Sequence, residues 1–337
     1  MKRLPERLLP WYEKNRRDLP WRKDRAPYHV WLSEIMLQQT RVEAVKRYYA
    51  RFLETLPDIA ALADASSETL QKLWEGLGYY SRVRNLQKAA KVIVSEYGGA
   101  FPRDYDAIRA LPGIGDYTAG AIASICFDLP VPAVDGNVER VLTRYTADCR
   151  PADPKLRSEL RKLLASVYPK DRPGDFTQAL MELGAVVCTP NGVPDCENCP
   201  LVADCKAHAQ GNETDFPVRI PKKPRRIEEK TVLVLRCGDR IAVRKRLETG
   251  LLAGLWELPN TEHHLSLEAA IAQAEAWGVH PSAPESVKSA KHIFTHIEWD
   301  LRCYTIECAA SPDLFRWVTK EELQTEIALP TAFRICL

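Results

Sequence analysis

The chain has 337 residues, 45% of them apolar, which is enough for two domains with packed cores. Its formal net charge is only +2, so overall charge does not mark a nucleic-acid-binding protein, and any such surface must come from local clusters. Residues 1–20 lack the apolar core of a signal peptide, and no segment has the length of a membrane span. We therefore expect a cytoplasmic protein without a membrane partner, whose ten cysteines are metal ligands and buried thiols rather than disulfides.

Residues 1 to about 207 are predicted to be almost entirely helical, because apolar residues recur there at three- and four-residue spacing. Helices are predicted at 30–39, 42–53, 67–77, 84–97, 105–111, 117–127 and 156–167. From Thr231 onward the character changes: strands are predicted at 231–237, 241–246 and 299–306, with a hairpin at 238–240. A helix at 267–277 ends at Gly278, and Thr319 with Glu322 has the spacing of a capping box.

Residues 210–229 separate the two parts and are rich in proline and charge. This segment is predicted to be a semi-extended connector. It is either a solvated linker or a segment that follows DNA phosphates, since five basic residues lie close together in it: Arg219, Lys222, Lys223, Arg225 and Arg226.

Two short motifs indicate chemistry on DNA. Leu-Pro-Gly-Ile-Gly at 111–115 predicts a tight hairpin between helices, in which Gly113 and Gly115 expose backbone N–H groups to a phosphate. Val-Asp-Gly-Asn at 134–137 places the Asp135 carboxylate at the N-cap of a further helix. Together they predict a backbone contact to nucleic acid beside a positioned acid.

Four cysteines form a metal-binding pattern. Cys188, Cys196, Cys199 and Cys205 follow C-x7-C-x2-C-x5-C after a predicted helix at 178–187. A structural zinc site usually has two C-x2-C knuckles, whereas this pattern has one, so the spacing favours a [4Fe–4S] cluster over zinc. The remaining cysteines are predicted to be small apolar residues: Cys126, Cys149, Cys237, Cys303, Cys308 and Cys336.

These motifs resemble the helix-hairpin-helix DNA glycosylases that carry an iron–sulphur cluster, over nearly the whole chain. Three features are similar to the MutY-type adenine glycosylases rather than to the endonuclease III type. Leu-Pro-Trp-Arg at 19–22 and Ser-Glu-Ile-Met-Leu-Gln-Gln-Thr at 33–40 resemble the MutY-type signature. Tyr117 stands where bifunctional endonuclease III-like enzymes carry a Schiff-base lysine, and the chain continues into a second domain. The cysteine spacing departs from the usual MutY-type C-x6-C-x2-C-x5-C by one extra residue between Cys188 and Cys196.

The resemblance implies an all-α helix-hairpin-helix glycosylase domain with a [4Fe–4S] loop at 188–205, followed by a smaller α+β Nudix-like domain. We expect the glycosylase domain at 1–209, the basic proline-rich linker at 210–229 and the Nudix-like domain at 230–337.

Cleavage of the bond between adenine and its sugar needs an acid for the departing base and a negative charge near the sugar cation. Glu34 is flanked by apolar residues, which predicts a raised pKa and a proton available near neutral pH. The resemblance makes Glu34 the residue that protonates adenine N7 and later activates water. Asp135 is expected to stay ionised and to stabilise the sugar cation. The resemblance also implies that Tyr117 donates a hydrogen bond near Asp135 and that Asn137 helps to order the site.

The target adenosine must leave the duplex before a side chain can reach it. By resemblance, Gln39 and Tyr79 insert into the DNA beside the estranged base, although a loop tyrosine can also pack on its own domain. Four further residues are implied in the adenine pocket: Leu19, Trp21, Arg22 and Glu182.

Residues 250–259 resemble the opening of a Nudix fold. A Nudix hydrolase holds Mg²⁺ with several carboxylates on the following helix, whereas Glu268 and Glu275 are too few and wrongly spaced. We therefore expect a recognition domain rather than a pyrophosphatase. MutY-type enzymes contact 8-oxoguanine through a Phe-Ser-His loop, which is Phe294-Thr295-His296 in this chain, and Thr295 keeps the hydroxyl group.

The sequence thus predicts a monofunctional glycosylase that removes adenine mispaired with 8-oxoguanine or guanine in double-stranded DNA, acting as a monomer on a bacterial-type nucleoid. A glycosylase–lyase for oxidised pyrimidines is disfavoured because Tyr117 offers no amine nucleophile. A catalytically silent damage-binding protein is disfavoured because Glu34 and Asp135 are both present.

Overall fold

The computed structural model describes residues 1–221 and 223–337, which form two compact units. The first unit contains Met1–Asp64 and Arg84–Pro221, and the second contains Ala65–Val83 together with residues 223–337. Lys222, one of the basic residues of the predicted linker, lies outside the described residues. The expected domain boundaries at 209 and 230 stay a prediction.

Helices account for most of the chain up to Gln210, as the apolar periodicity predicts. Each of the eight helices predicted there is present. The ends of seven are shifted by at most three residues, and the helix predicted at 178–187 begins five residues earlier, at Pro173. In chain order they are α1 (Leu4–Asn15), α2 (Pro27–Leu37), α3 (Val42–Thr55), α4 (Ile59–Asp64), α5 (Ser67–Trp74), α6 (Ser81–Tyr97), α7 (Tyr105–Ala110), α8 (Asp116–Phe127), α9 (Gly136–Thr146), α10 (Pro154–Ala165), α11 (Pro173–Val186) and α12 (Lys206–Gln210).

Two apolar clusters place the elements of the first unit. In the larger cluster, buried side chains of α1, α9, α10 and α11 pack together, among them Leu8, Leu142, Leu160 and Leu180. In the smaller cluster, Val30 of α2 packs with Ala121 and Ile125 of α8. Because α2 and α8 are held together in this way, the side chains of Glu34 and Tyr117 meet beside that contact.

The second unit contains a mixed sheet, as the predicted α+β class requires. Its elements after the linker are β1 (Arg226–Cys237), β2 (Arg240–Lys245), β3 (Trp256–Glu257), β4 (Asn260–Glu262), α13 (Leu267–Ala276), β5 (Pro281–Ile293), β6 (Ile297–Cys308), β7 (Arg316–Thr319), α14 (Lys320–Thr325) and α15 (Thr331–Arg334). The strand order is β3-β2-β1-β6-β5, with β4 paired to β1 and β7 to β2. Strands β1 and β6 are parallel, while the other pairs are antiparallel.

Strand β1 is buried on both faces, which fits a central strand covered by helices. Val232 and Val234 face the cluster that contains Leu323 and Phe333, and Leu233 and Leu235 face the cluster that contains residues of α13. Strand β1 begins at Arg226, inside the segment assigned to the linker from sequence.

The expectation that all cysteines outside the cysteine loop are free thiols is wrong for two residues of the second unit. Cys303 on β6 and Cys336 after α15 form a disulfide, with their Cα atoms 5.6 Å apart. Both residues are buried in the cluster on one face of β1, where the fold brings together positions 33 residues apart. Sequence spacing alone carries no sign of this proximity.

The capping box predicted at Thr319 is present and begins α14. Within residues 1–221 and 223–337, none of the helices combines the length and the apolar character needed to cross a membrane.

Candidate active site

A cleft of about 1000 Å³ in the first unit is lined by side chains from α2, α8, α9 and α11. Glu34, Tyr117 and Asp135 line it together with Asn137 and Glu182. The cleft thus brings together residues as far apart in the sequence as Arg17 and Ala185, including every residue predicted for catalysis.

Glu34 lies near the end of α2 and is 7% exposed. The hydroxyl group of Tyr117, in the first turn of α8, donates a hydrogen bond to Glu34 Oε2. Burial raises the pKa of Glu34 to about 7, although the hydrogen bond from Tyr117 opposes that rise. Near neutral pH this carboxyl group therefore exchanges a proton readily, which is the property of a general acid.

Asp135 is the N-cap of α9, as predicted. Its Oδ1 accepts a hydrogen bond from the backbone N–H of Val138 at 2.8 Å, and its Oδ2 accepts one from Asn137 Nδ2 at 2.8 Å. Burial raises the pKa of Asp135 above its ordinary value, and these hydrogen bonds to the ionised form oppose the rise. Both oxygens are fixed in position, so the carboxylate is oriented by the start of the helix.

Two residues that sequence reasoning missed hold Asn137 in place. Arg140 Nη2 donates to Asn137 Oδ1 and to the carbonyl oxygen of Gly184, each at 2.8 Å, and its Nε donates to the carbonyl oxygen of Cys188 at 2.8 Å. A Cβ atom at Gly184 would lie 2.6 Å from Asn137 Cβ, so α11 approaches α9 this closely only with glycine there. Arg140 follows Asn137 by three positions, the helical spacing that could have indicated this contact.

The residues predicted for the adenine pocket, Leu19, Trp21, Arg22 and Glu182, all line the cleft. Glu182 is fully buried, and Arg17 joins it through Nε to Oε1 at 2.7 Å while Arg22 Nη2 joins Oε2 at 2.8 Å. Burial raises the pKa of Glu182, but the hydrogen bonds from Arg17 and Arg22 outweigh it and lower the pKa to about 2. Glu182 is therefore a charged anchor for the 17–22 segment, and Arg17 was missed from sequence.

The residues predicted to contact DNA lie in both units. Gln39 follows α2 with φ +59° and lines the cleft. The hairpin between α7 and α8 contains Gly113 with φ +76°, where a Cβ atom would lie 2.6 Å from Asn85 Cβ. Gly115 precedes α8 with φ −97°, and a Cβ atom added there would meet no atom within 4 Å. The turn therefore requires glycine at position 113, whereas a side chain at position 115 would meet no steric clash at the start of α8.

Tyr79 belongs to the second unit, where its side chain is half exposed and its backbone has φ +48°. Its hydroxyl oxygen lies 2.9 Å from Thr295 Oγ1, a hydrogen bond between residues 216 positions apart. Thr295 and His296 are exposed between β5 and β6, and Phe294 packs against Trp299 with ring centroids 4.9 Å apart. The structure therefore joins two residues that the sequence assigned to separate roles.

The four predicted metal ligands, Cys188, Cys196, Cys199 and Cys205, line one small cavity and form no disulfides. Arg144 Nη1 lies 3.3 Å from Cys188 Sγ, so a cation faces the thiol that begins the loop. The extra residue falls in a turn with Gly192 at φ +72°, and it removes none of the four cysteines from the cavity. A donor set of four thiolates with a cation beside it fits an iron–sulphur cluster.

A second group of metal-ligand side chains lines the same cavity. Cys196 Sγ, His208 and Glu213 Oε1 lie within 4.8 Å of one another, and His208 Nδ1 is 2.6 Å from Glu213 Oε1. This mixed set shares Cys196 with the four-cysteine set.

Comparisons with known proteins agree with this geometry. Residues 32–166 match the HhH-GPD superfamily of base excision DNA repair proteins, and residues 231–337 match the NUDIX domain. A thermostable thymine-DNA glycosylase is similar in structure, with a TM-score of 0.56 and 29% identity over 61% of this chain and 94% of that one. An endonuclease III trapped as a covalent intermediate with DNA has a TM-score of 0.53 and 27% identity over 62% of this chain and 94% of its own. The fold and the cleft thus define an HhH-GPD DNA glycosylase with a Nudix-like second unit.

Similar proteins of known activity identify the family within this class. The adenine DNA glycosylases of Rattus norvegicus and Homo sapiens are 36% and 35% identical over 97% of this chain, which spans 77% and 73% of their own lengths. The chain belongs to the adenine DNA glycosylase family, whose members are hydrolases of base excision repair.

Proposed function

We propose that this protein removes adenine paired with 8-oxoguanine or guanine in duplex DNA and leaves the DNA strand intact. The observation that carries the proposal is the pair of carboxyl groups in one cleft: Glu34 with a pKa of about 7, and Asp135 held by hydrogen bonds to its ionised form. The absence of lysine at position 117 supports a reaction without a covalent imine, since Tyr117 supplies a hydroxyl group instead.

In the first step Glu34 gives its proton to adenine N7. Because Oε2 accepts the hydrogen bond of Tyr117, we assign the transferred proton to Oε1. The N-glycosidic bond then breaks, its electron pair leaves with the protonated adenine, and a positive charge develops on the sugar. The ionised Asp135 stabilises that charge, while Asn137 and the backbone of Val138 keep the carboxylate in place.

In the second step the Glu34 carboxylate takes a proton from water, whose oxygen bonds to the anomeric carbon. This returns Glu34 to its protonated form and leaves an abasic site. A single residue can serve as acid and then as base because its pKa lies near the working pH.

Binding of the substrate requires the adenosine to leave the base stack and enter the cleft. Leu19, Trp21 and Arg22 surround the base in this proposal, and Gln39 occupies the space beside it in the duplex. The hairpin with Gly113 and Gly115 contacts the DNA backbone through its N–H groups, which needs no base-specific contact.

Recognition of the opposite base is assigned to the second unit. Thr295 Oγ1 and Tyr79 Oη form one polar edge, beside the exposed His296 and the half-buried Phe294. A hydroxyl pair can accept the N7–H that distinguishes 8-oxoguanine from guanine, which supports discrimination between the two bases.

We further propose that Cys188, Cys196, Cys199 and Cys205 hold a [4Fe–4S] cluster. When bound, the cluster would join the ends of the loop covalently and complete the cavity that they line. The loop is also tied to α9 through Arg140 and Arg144, so its order supports the helix that begins at Asp135.

The proposed function is tested with three labelled duplexes that carry adenine opposite 8-oxoguanine, adenine opposite thymine, or an oxidised pyrimidine. We expect abasic sites only in the first duplex and strand breaks only after alkali treatment. Prompt strand cleavage, or release of the oxidised pyrimidine, would instead support a lyase. Equal release from the first two duplexes would contradict the proposed specificity.

A further inference from the structure

The second unit includes a segment that is far in sequence from its other residues. Ala65–Val83 lies inside the range that matches the HhH-GPD superfamily, yet it forms one compact unit with residues 223–337. It contains α5 and the loop that carries Tyr79. The side chain that meets Thr295 is therefore supplied by this inserted segment.

Glu75, directly after α5, joins the segment to the C-terminal residues of the chain. Its side chain is 17% exposed, and its Oε1 accepts hydrogen bonds from the backbone N–H of Leu329 at 3.0 Å and from Arg334 Nε at 3.0 Å and Nη2 at 2.5 Å. Lys72 Nζ donates to Glu75 Oε2 at 2.8 Å. Lys72 and Arg334 also donate to backbone carbonyl groups of the same C-terminal stretch, those of Leu323, Ile327 and Leu329.

The loop after Glu75 is held by hydrogen bonds from its flanking residues, so its position depends on where Glu75 is fixed. Trp74 Nε1 donates to the carbonyl oxygen of Gly78 at 3.1 Å, and Arg82 Nη2 donates to those of Leu77 at 2.9 Å and Gly78 at 3.1 Å. The Arg82 guanidinium also lies 5.7 Å from the Tyr79 ring centroid. A loop fixed at both ends moves as one body, and a shift at Glu75 therefore moves Tyr79.

We propose that Glu75 and Arg334 are positioning residues for recognition of the opposite base, because they hold the Tyr79 loop where its hydroxyl group meets Thr295. This inference rests on the proposed assignment of Tyr79 and Thr295 to 8-oxoguanine. The half-buried ion pair also binds three backbone groups, so it restricts the position of the loop more than an exposed pair would. Removal of one partner is costly because it leaves the other charge without compensation. Neither residue needs to touch DNA.

The test compares Glu75→Gln with Glu68→Gln. Glu68 lies in the first turn of α5, the helix that Glu75 follows, and it pairs with Lys245. Its side chain is 51% exposed, so its loss removes a charge without removing a buried contact. The measured quantity is the ratio of second-order rate constants for adenine release opposite 8-oxoguanine and opposite guanine. We expect Glu75→Gln to lower this ratio about tenfold, through the 8-oxoguanine duplex alone, and Glu68→Gln to leave it unchanged.

A second arm shows whether the effect passes through Tyr79. In a Tyr79→Phe background, Glu75→Gln should change the ratio less than about twofold, because the hydroxyl contact is already lost. An unchanged ratio for Glu75→Gln, an equal loss on both duplexes, or a full effect in the Tyr79→Phe background would overturn the inference. Arg334→Lys, which keeps the charge and loses the paired geometry, takes the place of Glu75→Gln if that variant does not fold.

The wild-type ratio separates this inference from the proposed function. A wild-type ratio of one overturns the proposed recognition of 8-oxoguanine by Tyr79 and Thr295, and this inference with it, whereas adenine release opposite either base still supports the proposed glycosylase. A wild-type preference for 8-oxoguanine that survives in both Glu75→Gln and Arg334→Lys overturns only the positioning role.

Discussion

The hydroxyl group of Tyr117 donates a hydrogen bond to Glu34 Oε2, which joins the first turn of α8 to the end of α2. Sequence reasoning expected this donor near Asp135, and the structure directs it to the other carboxyl group of the cleft. The hydroxyl group at position 117 therefore makes the contact that lowers the pKa of Glu34 against the effect of burial. The acid strength of Glu34 follows from a balance between these two causes.

This balance predicts the pH dependence of base release. Glu34 must be protonated, so the single-turnover rate should fall as pH rises through about 7, and it should also fall at acid pH where Asp135 becomes protonated. Tyr117→Phe removes a hydrogen bond that lowers the pKa of Glu34, so the basic limb should move to higher pH. A basic limb that stays in place or moves to lower pH would contradict the assignment of Tyr117.

The ion pairs of Glu182 with Arg17 and Arg22 predict an effect on the free energy of unfolding. Glu182→Gln leaves Arg17 and Arg22 without their buried partner and should lower the free energy of unfolding by about 3 kcal/mol at pH 7, measured by urea denaturation. Because the folded pKa of about 2 is below the ordinary value of 4.5, this stabilisation is present above pH 4.5 and is lost as pH falls toward 2. Glu43→Gln removes an exposed pair with Lys46 and should change stability by less than about 0.5 kcal/mol.

The cysteine cavity predicts a chromophore. The purified protein should show broad visible absorbance that bleaches on acidification, with four iron atoms per chain for the proposed [4Fe–4S] cluster. Cys199→Ser should abolish this absorbance, whereas Cys149→Ser, at an exposed cysteine outside the cavity, should leave it unchanged. Stoichiometric zinc without visible absorbance would show that the cavity holds zinc instead.

The two glycines of the hairpin should respond differently to alanine. Gly113→Ala places a Cβ atom 2.6 Å from Asn85 at a positive φ, so it should lower thermal stability and DNA binding together. Gly115→Ala meets open space at φ −97°, so it should fold normally. If the hairpin approaches a phosphate at Gly115, the affinity for undamaged duplex should nevertheless fall, measured by fluorescence anisotropy at fixed salt. Unchanged affinity for Gly115→Ala would place the phosphate elsewhere.

The parts of the fold that rest on local patterns were predictable from sequence. The helix ends near the hairpin, the N-cap at Asp135 and the capping box at Thr319 each depend on residues a few positions apart. Strand β5 was not predicted because its polar, lysine-containing sequence has little apolar alternation. It is stabilised as a strand by its pairing with β6.

Contacts between distant positions were not predictable in the same way. The Tyr79–Thr295 hydrogen bond, the Cys303–Cys336 disulfide and the union of Ala65–Val83 with the second unit all depend on tertiary packing. For the site, the residue types of Glu34 and Asp135 indicated their chemistry, while the arginines that orient the site, Arg17 and Arg140, had no motif of their own.

If Glu34 supplies the proton that releases adenine, its replacement by glutamine should stop the reaction without weakening the complex with DNA. The variant keeps the size of the side chain and loses its acidic proton, so it should bind the duplex with adenine opposite 8-oxoguanine as tightly as the wild type. Single-turnover adenine release should fall by about 10³-fold or more. Release within about tenfold of the wild-type rate, with binding unchanged, would contradict the assignment of Glu34 as the acid.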